Sequence, residues 1–138
     1  MKKIFLSATL LLCFVTTFSQ ENIRWMRYPS ISPDGTQIAF GYKGDIYLVS
    51  SQGGLATPIT IHDSHDMMPV WSHDGKNIAF ASDRFGNFDV FVMPLSGGKP
   101  VRVTAHSAAD YPQDFSPDNS KVLFTSSRGI SNTNVRFY

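Results

Sequence analysis

The sequence is poor in cysteine and in charge. Of its 138 residues only Cys13 is a cysteine, so the chain cannot form an internal disulfide and its fold must be held by packing. Charged residues make up 17%, with 12 Lys and Arg against 11 Asp and Glu, which gives a formal net charge of +1. This near balance argues against strong electrostatic capture of nucleic acid or of an anionic membrane surface. The hydrophobic share of 42% is typical of a chain with a packed core.

The first residues differ from the rest of the chain. Two lysines precede an apolar stretch over 4–18, which is too short for a comfortable membrane span. Small residues, Thr17 and Ser19, then stand where a signal peptidase requires them. We predict that residues 1–19 are a cleavable signal peptide, that the protein is periplasmic or secreted, and that it keeps no stable membrane anchor. A buried N-terminal element is the alternative.

The rest of the chain contains an internal repeat. The segment 29–40 matches 69–80, and a third copy covers 112–124 with one residue inserted before its serine. The pattern continues with pairs 44 residues apart, and the first two units differ in length only at the turn that covers 41–44 and 81–88. In each copy, a Ser-x-Asp-Gly or Ser-x-Asp-Asn sequence predicts a tight turn. The structural residues of this turn are Asp34, Gly35, Asp74, Gly75 and Asp118.

Each unit is predicted to contain four short strands, at about 70–72, 77–82, 89–93 and 101–104 in the second copy. The middle strands are apolar on both sides and must therefore be covered on both faces. Sheets stacked around an axis satisfy this need, and a repeat of this length is typical of a β-propeller blade. We predict an all-β fold, a β-propeller with four-stranded antiparallel blades. A β-sandwich is the alternative, but sandwiches lack such self-similarity.

The prediction places blade 1 at about 29–61, blade 2 at about 69–104 and a partial blade 3 at about 112–138, within a domain over 20–138. Because a propeller closes with about four to eight blades, these two and a half blades predict an N-terminal fragment. One repeat position is always apolar and is predicted to pack between blades. It is occupied by Ile31, Trp71 and Phe115.

Several motifs carry a resemblance to known families. They are the Ser-Pro-Asp-Gly turn, the Ile-Ala-Phe strand, the Ser-Asp-Arg-Phe-Gly-Asn loop and the Arg-Val-Thr-Ala-His ending, spread over about 25–138. Together they resemble the propeller repeats of TolB and of tricorn-type proteases. The opening Trp-Met-Arg-Tyr-Pro at 25–29, close behind the signal peptide, is most similar to secreted tricorn-like peptidases, in which two propellers precede a PDZ domain and a serine-peptidase core.

The resemblance implies a role in peptide substrate access and binding, with a peptide or protein substrate as partner. Catalysis would belong to domains beyond residue 138, and we predict no catalytic residues here, since no Gly-x-Ser-x-Gly motif occurs. A TolB-like periplasmic propeller that binds proteins without enzymatic activity is the alternative. A different hydrolase domain after the propeller, and a homo-oligomer formed through the domains beyond this chain, also stay open.

Arginines and aspartates recur at loop positions of the repeat. Arg84 and Arg128 are equivalent, and a guanidinium there could hold a substrate carboxylate. A salt bridge or a backbone hydrogen bond is the preferred alternative. Asp45 and Asp89, at strand entrances, are predicted to accept loop amide bonds or to meet an arginine of the repeat.

Three neighbouring side chains, His62, His65 and Asp66, are close enough in sequence to surround a zinc ion. The next unit keeps only His106 and Asp110 of this set. Recurrence of the pair favours a structural role in the loop that crosses from blade to blade. We therefore predict neither a metal nor another cofactor.

Overall fold

The computed structural model describes residues 25–128 and the backbone of residues 134–137, so the predicted signal peptide lies outside the described residues. All regular elements in this part are β-strands, and none of its residues forms a helix able to cross a membrane. The strands are β1 (Arg27–Ile31), β2 (Gln37–Tyr42), β3 (Asp45–Ser50), β4 (Thr57–Pro58), β5 (Asp66–Trp71), β6 (Asn77–Ser82), β7 (Asp89–Pro94), β8 (Val101–Arg102), β9 (Asp110–Phe115), β10 (Val122–Ser126) and β11 (Asn134–Phe137).

Consecutive strands pair antiparallel in three separate sheets. Blade 1 has the order β1-β2-β3-β4 and blade 2 the order β5-β6-β7-β8. Blade 3 contains β9, β10 and β11 within the part of the chain that the structure describes. First strands of neighbouring blades contact each other, so the blades converge along that edge. The predicted propeller architecture is confirmed.

Apolar side chains fill both spaces between the blades. On β6, Phe80 points into the core between blades 1 and 2, whereas Ala79 points into the core between blades 2 and 3, because successive strand residues face opposite ways. Blade 2 is therefore covered on both faces, as its apolar middle strands require. The first core contains Ala39, Ile46, Trp71, Ile78, Phe80, Phe91 and Met93, and the second contains Ala79, Val90, Phe115, Val122 and Phe124.

The apolar repeat position behaves differently in the first blade. Trp71 is 6% exposed and donates from Nε1 to the carbonyl oxygen of Ser30 in blade 1, at 2.9 Å. Phe115 is equally buried against blade 2. Ile31, however, is 61% exposed, and the prediction that it packs between blades is wrong here. Blade 2 covers the other face of blade 1, and within 25–128 no sheet lies over the face that carries Ile31.

First strands begin earlier than the predicted blade boundaries, at Arg27, Asp66 and Asp110. A bulge explains the difference. The register of β5 on β6 shifts between Met67 and Val70, so pairing continues on the other side of the bulge. The predicted boundaries lie at prolines because the matched segments begin there, and a bulge tolerates a proline inside the strand.

The repeat comparison predicts one inserted residue before the serine of the third copy, but the structure shows no insertion there. Asp110 precedes Ser116 by the same interval as Asp66 precedes Ser72. Pro112 pairs with Phe124 on β10, which puts it one position earlier in its strand than the proline of blade 2. The two prolines therefore occupy different places in first strands of equal length.

The aspartate turns between first and second strands are alike in all three blades. In blade 1, Ser32 Oγ donates to Asp34 Oδ1 at 2.6 Å, and the amide of Gln37 donates to Ser32 Oγ at 2.9 Å. The corresponding serine-to-aspartate distances are 2.6 Å to Asp74 and 2.5 Å to Asp118. Positive φ angles follow each aspartate, at Gly35 (72°), Gly75 (68°) and Asn119 (59°). The predicted equivalence of these turns is present in the structure.

Hydrogen bonds to the ionised carboxylates lower the pKa of all three aspartates, with the bond from the turn serine as the largest cause. The pKa of Asp118 falls to about 2 because its carboxylate accepts from the hydroxyl of Ser116 and from the amide and the hydroxyl of Ser120. The turns are therefore held by charged carboxylates at neutral pH.

Candidate functional site

The recurring charged residues gather at the end of the blades opposite the aspartate turns. At this end lie the turns between second and third strands and the loops that cross from one blade to the next. We call it the crossing-loop end. It carries every residue that the sequence analysis considered for chemistry: His62, His65, Asp66, Arg84, His106, Asp110 and Arg128, with Asp45 and Asp89.

A buried ion pair joins the start of β5 to the β6–β7 loop. Arg84 Nη2 lies 2.9 Å from both carboxylate oxygens of Asp66, and Arg84 Nε donates to Ser82 Oγ at 2.9 Å. The Asp66 side chain is fully buried, and the guanidinium is also held over the rings of Phe80 and Phe91. Arg84 is thus committed to the structure of blade 2.

The other recurring acids also have partners. Arg128 Nη2 contacts Asp110 in blade 3 as Arg84 contacts Asp66. Asp89 accepts from Arg102 Nη2 at 2.5 Å and from Thr104 Oγ1 at 3.3 Å. In blade 1, Asp45 accepts from the amide of His62 at 3.2 Å. The predicted loop amide is observed at Asp45. Asp89 meets an arginine that does not recur in blade 1, and not Arg84 or Arg128.

The salt bridge that the sequence analysis preferred for Arg84 and Arg128 is therefore present at both positions. Binding of a substrate carboxylate by either arginine stays a prediction. It would require the ligand to compete with Asp66 or Asp110, whose side chains are fully buried. Such competition is costly, because removing one partner leaves a buried charge uncompensated.

The recurring histidines close local turns in the crossing loops. The amide of Ser64 donates to His62 Nδ1 at 3.0 Å, and the amide of Ala108 donates to His106 Nδ1 at the same distance. The backbone amide of His65 donates to Asp83 Oδ1 at 2.8 Å. Among the described residues, no group of three His, Cys, Asp or Glu side chains is arranged to hold a metal ion.

A groove of about 660 Å³ opens at the crossing-loop end of blade 1. Its walls are the start of β1, the β2–β3 turn and the crossing loop to blade 2. Three aromatic side chains line it, and Trp25 and Tyr28 are 79% and 41% exposed. We call it the Trp25 groove. Its lining residues used below are Trp25, Arg27, Tyr28, Tyr42, Lys43 and His65.

The groove exists because blade 1 has a short β2–β3 turn. Lys43 and Gly44 alone connect Tyr42 to Asp45, and both have positive φ, 51° and 93°, as a two-residue hairpin requires. In blade 2 the same connection spans 83–88 and supplies Arg84. Sequence reasoning found the length difference, yet it missed the groove, because a cavity depends on which loops face one another.

Three of the five non-glycine residues with positive φ in the described part, Trp25, Tyr28 and Lys43, line the groove. Two of these angles serve the fold. Tyr28 shares its conformation with Met68 at the same repeat position, where the first strand bulges, and Lys43 belongs to the two-residue hairpin. The exposed aromatic side chains of the Trp25 groove make it our candidate functional site.

Comparison with known proteins agrees with the fold and with the sequence motifs. Among curated proteins, the chain is 42% identical over 57 residues to a TolB homologue of Chlorobium luteolum, which covers 41% of this chain and 13% of that protein. It is 32% identical over 69 residues to the uncharacterized peptidase YuxL of Bacillus subtilis, which covers 43% of this chain and 10% of that protein. The chain thus spans a small part of the length of these relatives.

Solved structures share the architecture. A putative TolB from Agrobacterium tumefaciens gives a TM-score of 0.69 at 30% identity, over 79% of this chain and 40% of that one. The tricorn protease gives a TM-score of 0.63 at 18% identity, over 86% of this chain and 13% of that one, a likeness of fold alone. The family of the tricorn protease N-terminal beta propeller domain matches residues 23–138. This chain therefore belongs to the tricorn protease N-terminal β-propeller family.

Proposed function

We propose that this chain is the leading propeller of an exported tricorn-like serine peptidase, and that it admits and binds peptide substrates without performing catalysis. The observation that carries the proposal is the Trp25 groove, which offers exposed aromatic side chains beside the edge strand β1. Aromatic surfaces bind peptide side chains of many kinds, and an edge strand can pair with an extended backbone. The family match and the peptidase relative support the same role.

Tryptophan fluorescence of the full-length protein tests this proposal, because the two tryptophans of this segment differ in exposure. Trp25 is 79% exposed and lines the groove, whereas Trp71 is 6% exposed in the core. We expect a mixture of short unlabelled peptides to change the emission of the Trp71→Phe variant in a saturable way. The Trp25→Phe variant should lose that change. Equal responses of the two variants would contradict peptide binding in the groove.

A TolB-like protein-binding propeller is the second candidate, and the 42% identity to a TolB homologue favours it. Such a propeller would bind a folded protein and not short peptides. The reading frame beyond residue 138 separates the two: a PDZ domain and a serine-peptidase core support the first candidate, and an end after one closed propeller supports the second.

Export belongs to the proposal as well. It is supported by the two lysines and the apolar stretch over 4–18 in the sequence. N-terminal sequencing of the protein recovered from the periplasm or medium should begin at Gln20. Recovery of the intact Met1 terminus from the cytoplasm would contradict it.

A further inference from the structure

A second groove, of about 590 Å³, lies between the outer parts of blades 1 and 2. Blade 1 contributes its crossing loop, with Ile59 and Ile61, and blade 2 contributes the β6–β7 loop, β7 and the approach to β8. We call it the Phe85 groove. The lining residues on which the argument rests are Ile59, Ile61, Phe85, Phe91, Lys99 and Arg102.

Phe85 is exposed and yet held in place. Its ring is stacked on Phe91 with centroids 6.1 Å apart and planes inclined by 6°, and the Arg102 guanidinium lies 4.5 Å from its centroid. The side chain nevertheless remains 61% exposed, and Ile61 across the groove is 84% exposed. An immobilised aromatic side chain loses little conformational entropy on binding, and such residues dominate binding energies at interfaces.

The internal repeat shows that Ile61, Phe85 and Lys99 are not required by the blade. The repeat position of Ile61 is Ala105 in the next unit, and that of Phe85 is Gly129. The repeat positions of Lys99 and Arg102 in blade 1 are Leu55 and Pro58. Residues that serve the fold recur, as the Asp66 and Asp110 ion pairs do. Ile61, Phe85 and Lys99 are instead particular to the boundary between blades 1 and 2, whereas Ile59 and Phe91 recur as Val103 and Tyr47.

The positive charge of the Phe85 groove favours ligands that carry negative charge beside their apolar side chain. Its lining includes Arg84, Lys99 and Arg102, and among the residues described as lining it there is no Asp or Glu. The two arginines are offset by buried aspartates, so the excess positive charge comes from Lys99. The positive charge of Lys99 therefore attracts a ligand carboxylate and repels a ligand ammonium group.

We propose that the Phe85 groove docks an acidic peptide segment in which one aromatic or aliphatic side chain is flanked by carboxylates. The apolar side chain enters between Phe85 and Ile61, and the carboxylates lie toward Lys99. This inference goes beyond peptide binding in the Trp25 groove and does not depend on it.

Fluorescence anisotropy with the full-length protein tests the inference. The probe is a labelled pentapeptide with a central phenylalanine and glutamates on both sides, and the control peptides replace either the phenylalanine by alanine or the glutamates by lysines. We expect saturable binding of the probe that weakens as salt is added, because exposed charges are screened. Both control peptides should bind at least about tenfold more weakly.

Variants copied from the repeat locate the site. Phe85→Ala should raise the Kd for the probe about tenfold, and Ile61→Ala, which installs the residue of the next unit, about threefold. Lys99→Leu, which installs the residue of blade 1, should raise the Kd and flatten its salt dependence. Leu55→Ala is the matched control, since Leu55 is 89% exposed at the blade 1 position equivalent to Lys99. It should leave the Kd unchanged.

The inference is overturned if the alanine or lysine peptide binds as well as the probe, or if Ile61→Ala and Phe85→Ala both leave the Kd unchanged. Ile61 is exposed on a loop, so its variant keeps the test valid even if Phe85→Ala lowers the unfolding midpoint. Absence of probe binding, together with a self-association that Phe85→Ala abolishes in sedimentation, would instead assign the groove to a second copy of the chain and reject the acidic peptide.

Discussion

Blades 1 and 2 have the same strand order but differ at the crossing-loop end. Blade 2 places Arg84 on a long β6–β7 loop, where it neutralises the buried Asp66. Blade 1 has the two-residue turn Lys43–Gly44, and Met26 stands at the repeat position of Asp66. Blade 2 thus has both the aspartate and the arginine of the ion pair, and blade 1 has neither. The comparison shows that one loop insertion closes the end of a blade and that its omission leaves the Trp25 groove open.

The ion pair provides the strongest test of this comparison. Asp66→Ala should lower the free energy of unfolding of the propeller by about 3 kcal/mol, because it leaves a largely buried guanidinium without its carboxylate. Urea unfolding followed by the fluorescence of Trp71 in a Trp25→Phe background measures this change.

Met26→Ala is the matched control, since it changes the same repeat position in blade 1, where the side chain is 56% exposed. We expect a change within about 0.5 kcal/mol. If both variants destabilise the propeller equally, the two blade ends do not differ as described.

The short turn of blade 1 gives a smaller effect. Gly44→Ala places a β-carbon at a φ of 93°, and we expect a loss of about 1 kcal/mol with weaker peptide binding in the Trp25 groove. Gly41→Ala is the control, because its φ is ordinary and the added carbon would lie 3.6 Å from the Arg27 carbonyl oxygen, in normal contact. Equal unfolding midpoints for the two variants would show that the turn is not strained.

The aspartate turns, where the blades do not differ, give the smallest effect. The folded-state pKa of Asp118, about 2, is below its ordinary value of 3.8, so the ionised form stabilises the fold. This stabilisation is complete above about pH 4 and is lost as the pH falls through about 2. Thermal unfolding midpoints should therefore fall less steeply between pH 4 and pH 2 in Asp118→Asn than in the natural protein. Identical slopes would contradict the role of the charged carboxylate.

The repeat allowed much of the fold to be predicted. Strand type, the matched turns at Asp34, Asp74 and Asp118 and the stacking of apolar faces followed from spacing and hydrophobicity alone, since each depends on local sequence and on the need to cover apolar surface. The exact first residues of the strands could not be predicted in this way. They depend on bulges, such as the one before Val70, that form only when a partner strand sets the register.

Sites were predicted less well. Recurrence identified Asp66 and His62 as structural, and for Arg84 it favoured a salt bridge over a substrate carboxylate. The contacts of all three agree with a structural role. In the sequence, His73 stands where the other two copies of the turn have Pro33 and Pro117. Its freed amide donates to Asn119 Oδ1 in blade 3 at 2.7 Å, and its Nε2 lies 2.9 Å from the carbonyl oxygen of Phe115. The sequence could reveal the missing proline but not the partner across the blade boundary.

By itself, the sequence determined which residues form blades and which repeat positions belong to the fold, because period, turn chemistry and apolar pattern are local properties. Only the tertiary structure decided that Ile31 is exposed, that Trp25 and Phe85 each line a groove, and that the arginines of the repeat are paired. Those outcomes depend on which loops and faces contact each other in space, and a sequence pattern does not carry that information, whether or not the residue recurs.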